Sequence, residues 1–184
     1  KKQFFGKSIV ESFVHLPLVL PPVVIGYLLL VMMGRQGIIG SWLNEVFGIV
    51  FSFSWKGASL ACVVVALPLM VRSIRLSLET VDCKLEEAAA TLGASPIRVF
   101  FTITLPLMIP GIITGTMLSF ARSLGEFGAT ISFVSNIPGE TQTIPLAMYT
   151  FIETPGVEME AARLCVISIV IALSSLMLSE WLNR

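Results

Sequence analysis

The stretch Glu79-Thr80-Val81-Asp82-Cys83-Lys84-Leu85-Glu86-Glu87-Ala88-Ala89-Ala90-Thr91-Leu92-Gly93-Ala94-Ser95-Pro96 decides how this chain is read. Residues 86–92 are strong helix formers. The acidic residues sit at the front, where they complement the positive end of a helix dipole. Gly93 is a natural C-terminal stop, and Pro96 follows it closely. The expectation is a short helix outside the membrane that ends in a turn. Ala88, Ala89 and Ala90 give it a small face that another surface can approach closely. A docking helix and a plain connector both fit these local features.

Around this stretch the chain is strongly apolar. Of 184 residues, 55% are hydrophobic and 13% charged, against about 25% charged in a typical soluble protein. Too little polar side chain is present to cover a water-soluble globule. That excludes a soluble enzyme, a disordered tail and a nucleic-acid binder. Twelve basic residues balance twelve acidic ones, so no field draws nucleic acid or cations. Cys62, Cys83 and Cys165 form no CxxC pair and suggest neither zinc nor disulfides. No cofactor or metal is expected.

Four apolar stretches are candidate spans: residues 9–33, 57–71, 99–121 and 164–182. A transmembrane helix takes about 20 mostly apolar residues. The second is short unless it runs past Arg72 to Leu78, with its arginines reaching for the interface. Pro17, Pro21, Pro22, Pro68, Pro106 and Pro110 fall in these stretches. Broken helices of this kind survive only where neighbours or water repair the backbone. They suit a transporter or channel better than an anchor.

Lys1, Lys2 and Lys7 precede the first stretch, and Arg72, Arg75, Lys84 and Arg98 lie between the second and third. Residues 130–162 contain no Lys or Arg, but include Glu140, Glu153, Glu158 and Glu160. The positive-inside rule puts the N-terminus and the 79–98 loop in the cytoplasm. Residues 34–55 and 130–162 are then external, Arg184 ends inside, and four crossings are consistent. Within the second external segment, residues 144–152 suggest a short helix at the outer surface or dipping into a cavity.

Glu87-Ala88-Ala89, three residues, Gly93, nine residues and Ile103-Thr104-Leu105-Pro106 match in full the EAA loop of bacterial ABC-importer permeases. Three further stretches resemble molybdate permease subunits. They are His15-Leu16-Pro17-Leu18-Val19-Leu20-Pro21-Pro22-Val23-Val24-Ile25-Gly26-Tyr27, Ala121-Arg122-Ser123-Leu124-Gly125-Glu126-Phe127-Gly128-Ala129-Thr130 and Asn136-Ile137-Pro138-Gly139-Glu140-Thr141. The resemblance covers the whole chain. Sulfate and thiosulfate permeases share the loop and a similar Gly-Glu-Phe-Gly stretch, but the other segments are more similar to the molybdate branch.

The resemblance implies an all-α polytopic transmembrane bundle, the type I ABC importer (MetI-like) permease fold, as one domain over residues 1–184. It makes the loop at about 79–98 the coupling element, with Glu86, Glu87, Ala88, Ala89, Leu92 and Gly93 engaging an ATPase. Family members have five or six spans, so one or two N-terminal helices are expected to be missing here. Implied partners are a second permease copy, two ATP-binding subunits, an extracytoplasmic molybdate-binding protein and the lipid bilayer of a bacterial inner membrane. No Walker lysine motif is present, so ATP hydrolysis is expected in a partner and no enzyme activity in this chain.

Arg122 and Glu126 are four apart and can meet on one helix face. An ionisable residue at membrane depth faces protein or a wet cavity. The pair reads as a gate or pathway element, or as a structural ion pair. Gly125 and Gly128 permit close helix contact or a break that ends the span. His15 reads as a helix–helix hydrogen-bonding residue. An ion-coupled secondary transporter is the rival class, but it predicts midplane carboxylates and inverted repeats. Glu126 is the one such carboxylate far from the chain ends, and no repeat is visible. A passive membrane scaffold needs neither the prolines nor the docking helix.

Overall fold

The computed structural model describes residues 5–182, so Lys1, Lys2 and Arg184 of the charge argument lie outside the described residues. Among the described residues the regular structure is entirely helical. Three helices among the described residues are long and apolar enough to cross a membrane: Trp55–Thr80, Pro96–Leu124 and Glu158–Trp181. A fourth crossing exists if one bent pair of helices counts as a single span.

That pair is the first apolar stretch, which is not one straight helix. α1 (Lys7–Val19) and α2 (Pro22–Met33) meet at an angle of 116°. The cause is local. Leu20 precedes a proline and is driven to an extended conformation, φ −72° and ψ 141°. Pro21 is extended as well, and Pro22 then occupies the first turn of α2, where its missing N–H costs nothing.

The second span is longer than its apolar core. α4 covers Trp55–Thr80, 26 residues, or roughly 39 Å at ~1.5 Å per residue. Ser54 caps its start by accepting from the Gly57 N–H at 3.2 Å. At the other end the helix takes in Arg72 and Arg75. Arg75 stays half-exposed, donating to Glu79 at 3.0 Å and to Glu11 of α1 at 2.7 Å.

The third span is a composite. It opens with α6 (Pro96–Val99), widens into a π-turn (Phe100–Thr104) and continues as α7 (Leu105–Leu124). α4 and α7 pack antiparallel. Ser73 Oγ donates to the Gly111 carbonyl at 3.0 Å, and Ser77 Oγ donates to that of Met108 at 3.4 Å. These bonds flank Pro110, where the helix ladder loses a donor. Small residues make the approach possible. A Cβ on Gly111 would stand 2.2 Å from Ser77 Cβ, and one on Gly115 2.9 Å from Ser73 Cβ.

A cluster of buried residues lies beside the Trp55 end of α4. α8 (Gly128–Val134) buries Ala129, Phe133 and Val134 completely against Ile25 of α2 and Ala61 and Val65 of α4. Gly26 lets α2 touch the Ala129 backbone, because a Cβ there would lie 2.5 Å from its carbonyl oxygen. The segments at residues 34–55 and 130–162 carry α3 (Ile38–Phe47) and α9 (Ile144–Glu153). The last span is α10 (Glu158–Leu182), which packs on α7 and α9. Its apolar residues cover its whole circumference, as in a membrane helix.

Candidate functional site

Two constellations lie at opposite ends of the α4–α7 pair. The first is the loop that joins them. Asp82 caps α5 (Cys83–Thr91) by accepting from the Lys84 N–H at 2.9 Å. At the other end, Ala94 N–H donates to Ala89 O at 3.1 Å and Gly93 N–H to Ala90 O at 3.0 Å. This pair of bonds is a Schellman stop, and it needs a left-handed residue after the cap. Gly93 supplies it with φ +81°. Ser95 and Pro96 then start α6, with Ser95 Oγ accepting from the Arg98 N–H at 3.4 Å. The helix begins three residues before the predicted 86–92 core, because Asp82 is the cap.

α5 buries none of its residues in this chain. Glu87 and Ala88 are exposed and Ala89 is half-buried. Leu92 is 88% exposed and Leu85 48%. Nothing lies within 4 Å of a Cβ placed on Gly93. The loop therefore presents apolar side chains and a bare glycine outward. Glu86 behaves differently from its neighbours. Its Oε1 accepts from Thr104 Oγ1 at 2.7 Å, which ties α5 to the π-turn of the third span.

The second constellation is the break after α7. The helix ends at Leu124 with Gly125 at its C-cap. Glu126 thus stands beyond the helix and reaches back to it. Its Oε2 meets Arg122 Nη1 at 2.7 Å, with the carboxylate side chain 1% exposed and the guanidinium 33%. Its Oε1 accepts from the Ala129 N–H at 2.8 Å. One buried carboxylate therefore closes the end of α7 and caps the start of α8. Cys62 Sγ lies 3.9 Å from the Ser123 carbonyl oxygen, so this site sits two turns in from the start of α4.

The two glycines divide the roles offered for them. Gly128 serves close contact, since its Cβ would fall 3.0 Å from Pro22 Cβ. Gly125 serves the break and has open space around it. His15 makes its hydrogen bond within its own helix, donating from Nδ1 to Glu11 O at 2.8 Å rather than to a neighbouring helix. Outside the spans, Tyr149 of α9 donates to Glu153 at 2.5 Å, and that bond raises its phenol above the ordinary range.

Sequence reasoning named Thr104 only as part of the Ile103-Thr104-Leu105-Pro106 motif, and missed its bond to Glu86 and the serines Ser73 and Ser77. The paired spacing Gly111/Gly115 on one span and Ser73/Ser77 on another was a readable signal of close helix contact. Nothing local announces the bond from Thr104 to Glu86.

Residues 1–183 match the family described as the binding-protein-dependent transport system inner membrane component. The molybdenum transport system permease protein ModB of Haemophilus influenzae is 67% identical over 184 residues, covering all of this chain and 80% of that protein. Its counterpart in Escherichia coli K12 is 70% identical over 181 residues, 98% of this chain and 79% of that protein. The sulfate transport system permease protein CysW of Synechococcus elongatus is 40% identical over 146 residues, 79% of this chain and 51% of that protein. In three dimensions the chain is similar to a crystal structure of a bacterial ABC transporter involved in the import of the acidic polysaccharide alginate. The TM-score is 0.70 at 16% identity, over 99% of this chain and 69% of that one. The fold is thus that of an ABC importer permease, and the chain belongs to the family of binding-protein-dependent transport system inner membrane components.

Proposed function

We propose that this chain is the membrane-spanning permease subunit of an ATP-driven importer for molybdate, with tungstate as a second cargo. The observation that carries the substrate class is identity of 67% and 70% to molybdenum permeases along the chain's length, against 40% to a sulfate permease. Two copies pair about a two-fold axis, as closed homo-oligomers usually do. Each engages one ATP-binding subunit through Glu87, Ala88, Ala89, Leu92 and Gly93 of the 79–98 loop. An extracytoplasmic binding protein delivers the anion to the outer face.

The mechanism follows from what is joined to what. α5 hangs between the cytoplasmic ends of α4 and α6, so a partner that moves α5 pulls on both. The hydrogen bonds from Ser73 and Ser77 lock α4 to α7, and the two helices move as one body. ATP binding closes the ATPase dimer and favours the outward-open arrangement; hydrolysis and product release restore the inward-open one. This is a population shift, and its size is the difference in ATPase affinity for the two states. At the outer end, the partly exposed guanidinium of Arg122 is placed to meet an incoming dianion, while Gly125, Glu126 and Gly128 shape the break beside it.

The test is uptake into proteoliposomes holding the permease with its ATP-binding subunit and binding protein. ATP-dependent accumulation of molybdate, displaced by tungstate and not by sulfate, supports the proposal. Sulfate transported equally well would move the substrate assignment to the sulfate branch. Uptake driven by an ion gradient without ATP would contradict the class.

A further inference from the structure

Glu86 and Glu87 are consecutive acidic residues with different environments. On a helix, neighbours point about 100° apart. Glu87 is exposed. Glu86 turns inward, and its Oε1 accepts from Thr104 Oγ1 at 2.7 Å across 18 residues of chain. Thr104 is 4% exposed. It is the last residue of the π-turn Phe100–Thr104, and Leu105 N–H closes that turn on Phe100 O. Between α5 and this turn lies a cleft of about 460 Å³, lined by Leu78, Glu86, Ala90, Val99, Phe100 and Thr104. The cleft leaves α5 room to swing. The hydrogen bond spans the gap that packing does not fill.

A π-turn holds an extra residue and breaks the regular ladder, and such turns gather at functional sites. Here it falls between the short α6, which continues from the docking loop, and the long α7, which must move. We propose that Glu86 is a positioning residue and not a docking residue. It tethers α5 to Thr104, so that a displacement imposed on α5 reaches α7 at the π-turn directly. Without the tether the push reaches α7 only indirectly, along the chain through Ala94 and Ser95 or by way of α4 and its bonds from Ser73 and Ser77, and the cleft absorbs part of it. This rests on the coupling reading above and divides its residues: Glu87, Leu92 and Gly93 meet the ATPase, and Glu86 meets Thr104.

The experiment uses the complete transporter in proteoliposomes and measures molybdate taken up per ATP hydrolysed. The variants are Glu86→Ala, Thr104→Val, the double variant, and the conservative Glu86→Gln and Thr104→Ser. All are expected to co-purify with the ATP-binding subunit. Glu86→Ala and Thr104→Val are expected to lower uptake per ATP by about tenfold, the size of one charge-assisted hydrogen bond. The double variant falls no further, because both changes remove the same bond. Glu86→Gln and Thr104→Ser, which keep an acceptor and a hydroxyl, recover most of the coupling. Unchanged uptake per ATP in both Glu86→Ala and Thr104→Val overturns the tether. So does loss of co-purification in Thr104→Val, which makes the pair a structural brace. If Glu86→Ala fails to assemble, the Thr104→Val and Thr104→Ser pair decides. Failure of the unaltered permease to bind the ATP-binding subunit removes the coupling reading itself.

Discussion

Arg122 and Glu126 are joined by a 2.7 Å ion pair in which the carboxylate is almost wholly buried and the guanidinium one-third exposed. The asymmetry has consequences. A buried carboxylate that loses its counter-charge is costly, about 3–5 kcal/mol in typical buried pairs. Replacing both partners by groups of similar shape is far milder. Arg122→Leu is therefore expected to lower the thermal midpoint of the purified permease sharply, and Arg122→Leu with Glu126→Gln to restore much of it. Glu126→Gln keeps an oxygen to accept from Ala129. A thermal unfolding series on the three proteins checks this. Arg122→Leu with unaltered stability but slowed uptake would assign the guanidinium to the anion path alone.

The two glycines beside α4 and α7 predict opposite tolerance. At Gly115 a side chain meets Ser73 and Met70, and at Gly125 it meets nothing. Overpacking a filled contact costs about 1–3 kcal/mol. Gly115→Val should lower the yield of monodisperse protein and its midpoint. Gly125→Ala should leave both unchanged, within about 0.5 kcal/mol. Size-exclusion profiles and melting curves of the two variants read the difference.

Gly93 permits a separation of effects. Its φ of +81° disfavours any side chain, and an L-residue in the left-handed region costs roughly 1–2 kcal/mol. Gly93→Ala should show that local loss as faster amide exchange at the end of α5, with docking retained. Gly93→Trp adds bulk at a position where nothing lies within 4 Å of the new Cβ. A loss of ATPase binding beyond that of Gly93→Ala therefore measures the partner's fit. Pull-down yields for both variants, with exchange measured on the permease alone, check the two parts.

Much of this architecture was legible. The turn after α5 could be read because Gly93 and Pro96 act within a few residues of themselves. Leu20-Pro21-Pro22 marked the break between α1 and α2, whereas Pro17, Pro68 and Pro110 lie inside helices that continue through them. The angle of that break was not legible, since it depends on what α2 packs against, namely the close approach of Gly26 to Ala129. α4 takes the longer of the two extents the sequence left open, running past Arg72 to Thr80, and Arg75 reaches polar partners in Glu11 and Glu79. The pairing of Arg122 with Glu126 followed from a spacing of four, although Glu126 lies past the helix end. The tie between Glu86 and Thr104 could not be read, because 18 residues and an irregular turn separate them.

The most direct test of the account is co-purification of the permease with its ATP-binding subunit, comparing the unaltered chain with Gly93→Trp, followed by ATP-dependent molybdate uptake for each. The unaltered protein is expected to form a stable complex and to transport, and the variant to lose both. A variant that binds the ATP-binding subunit and transports molybdate as well as the unaltered chain would contradict the assignment of the 79–98 loop as the coupling element.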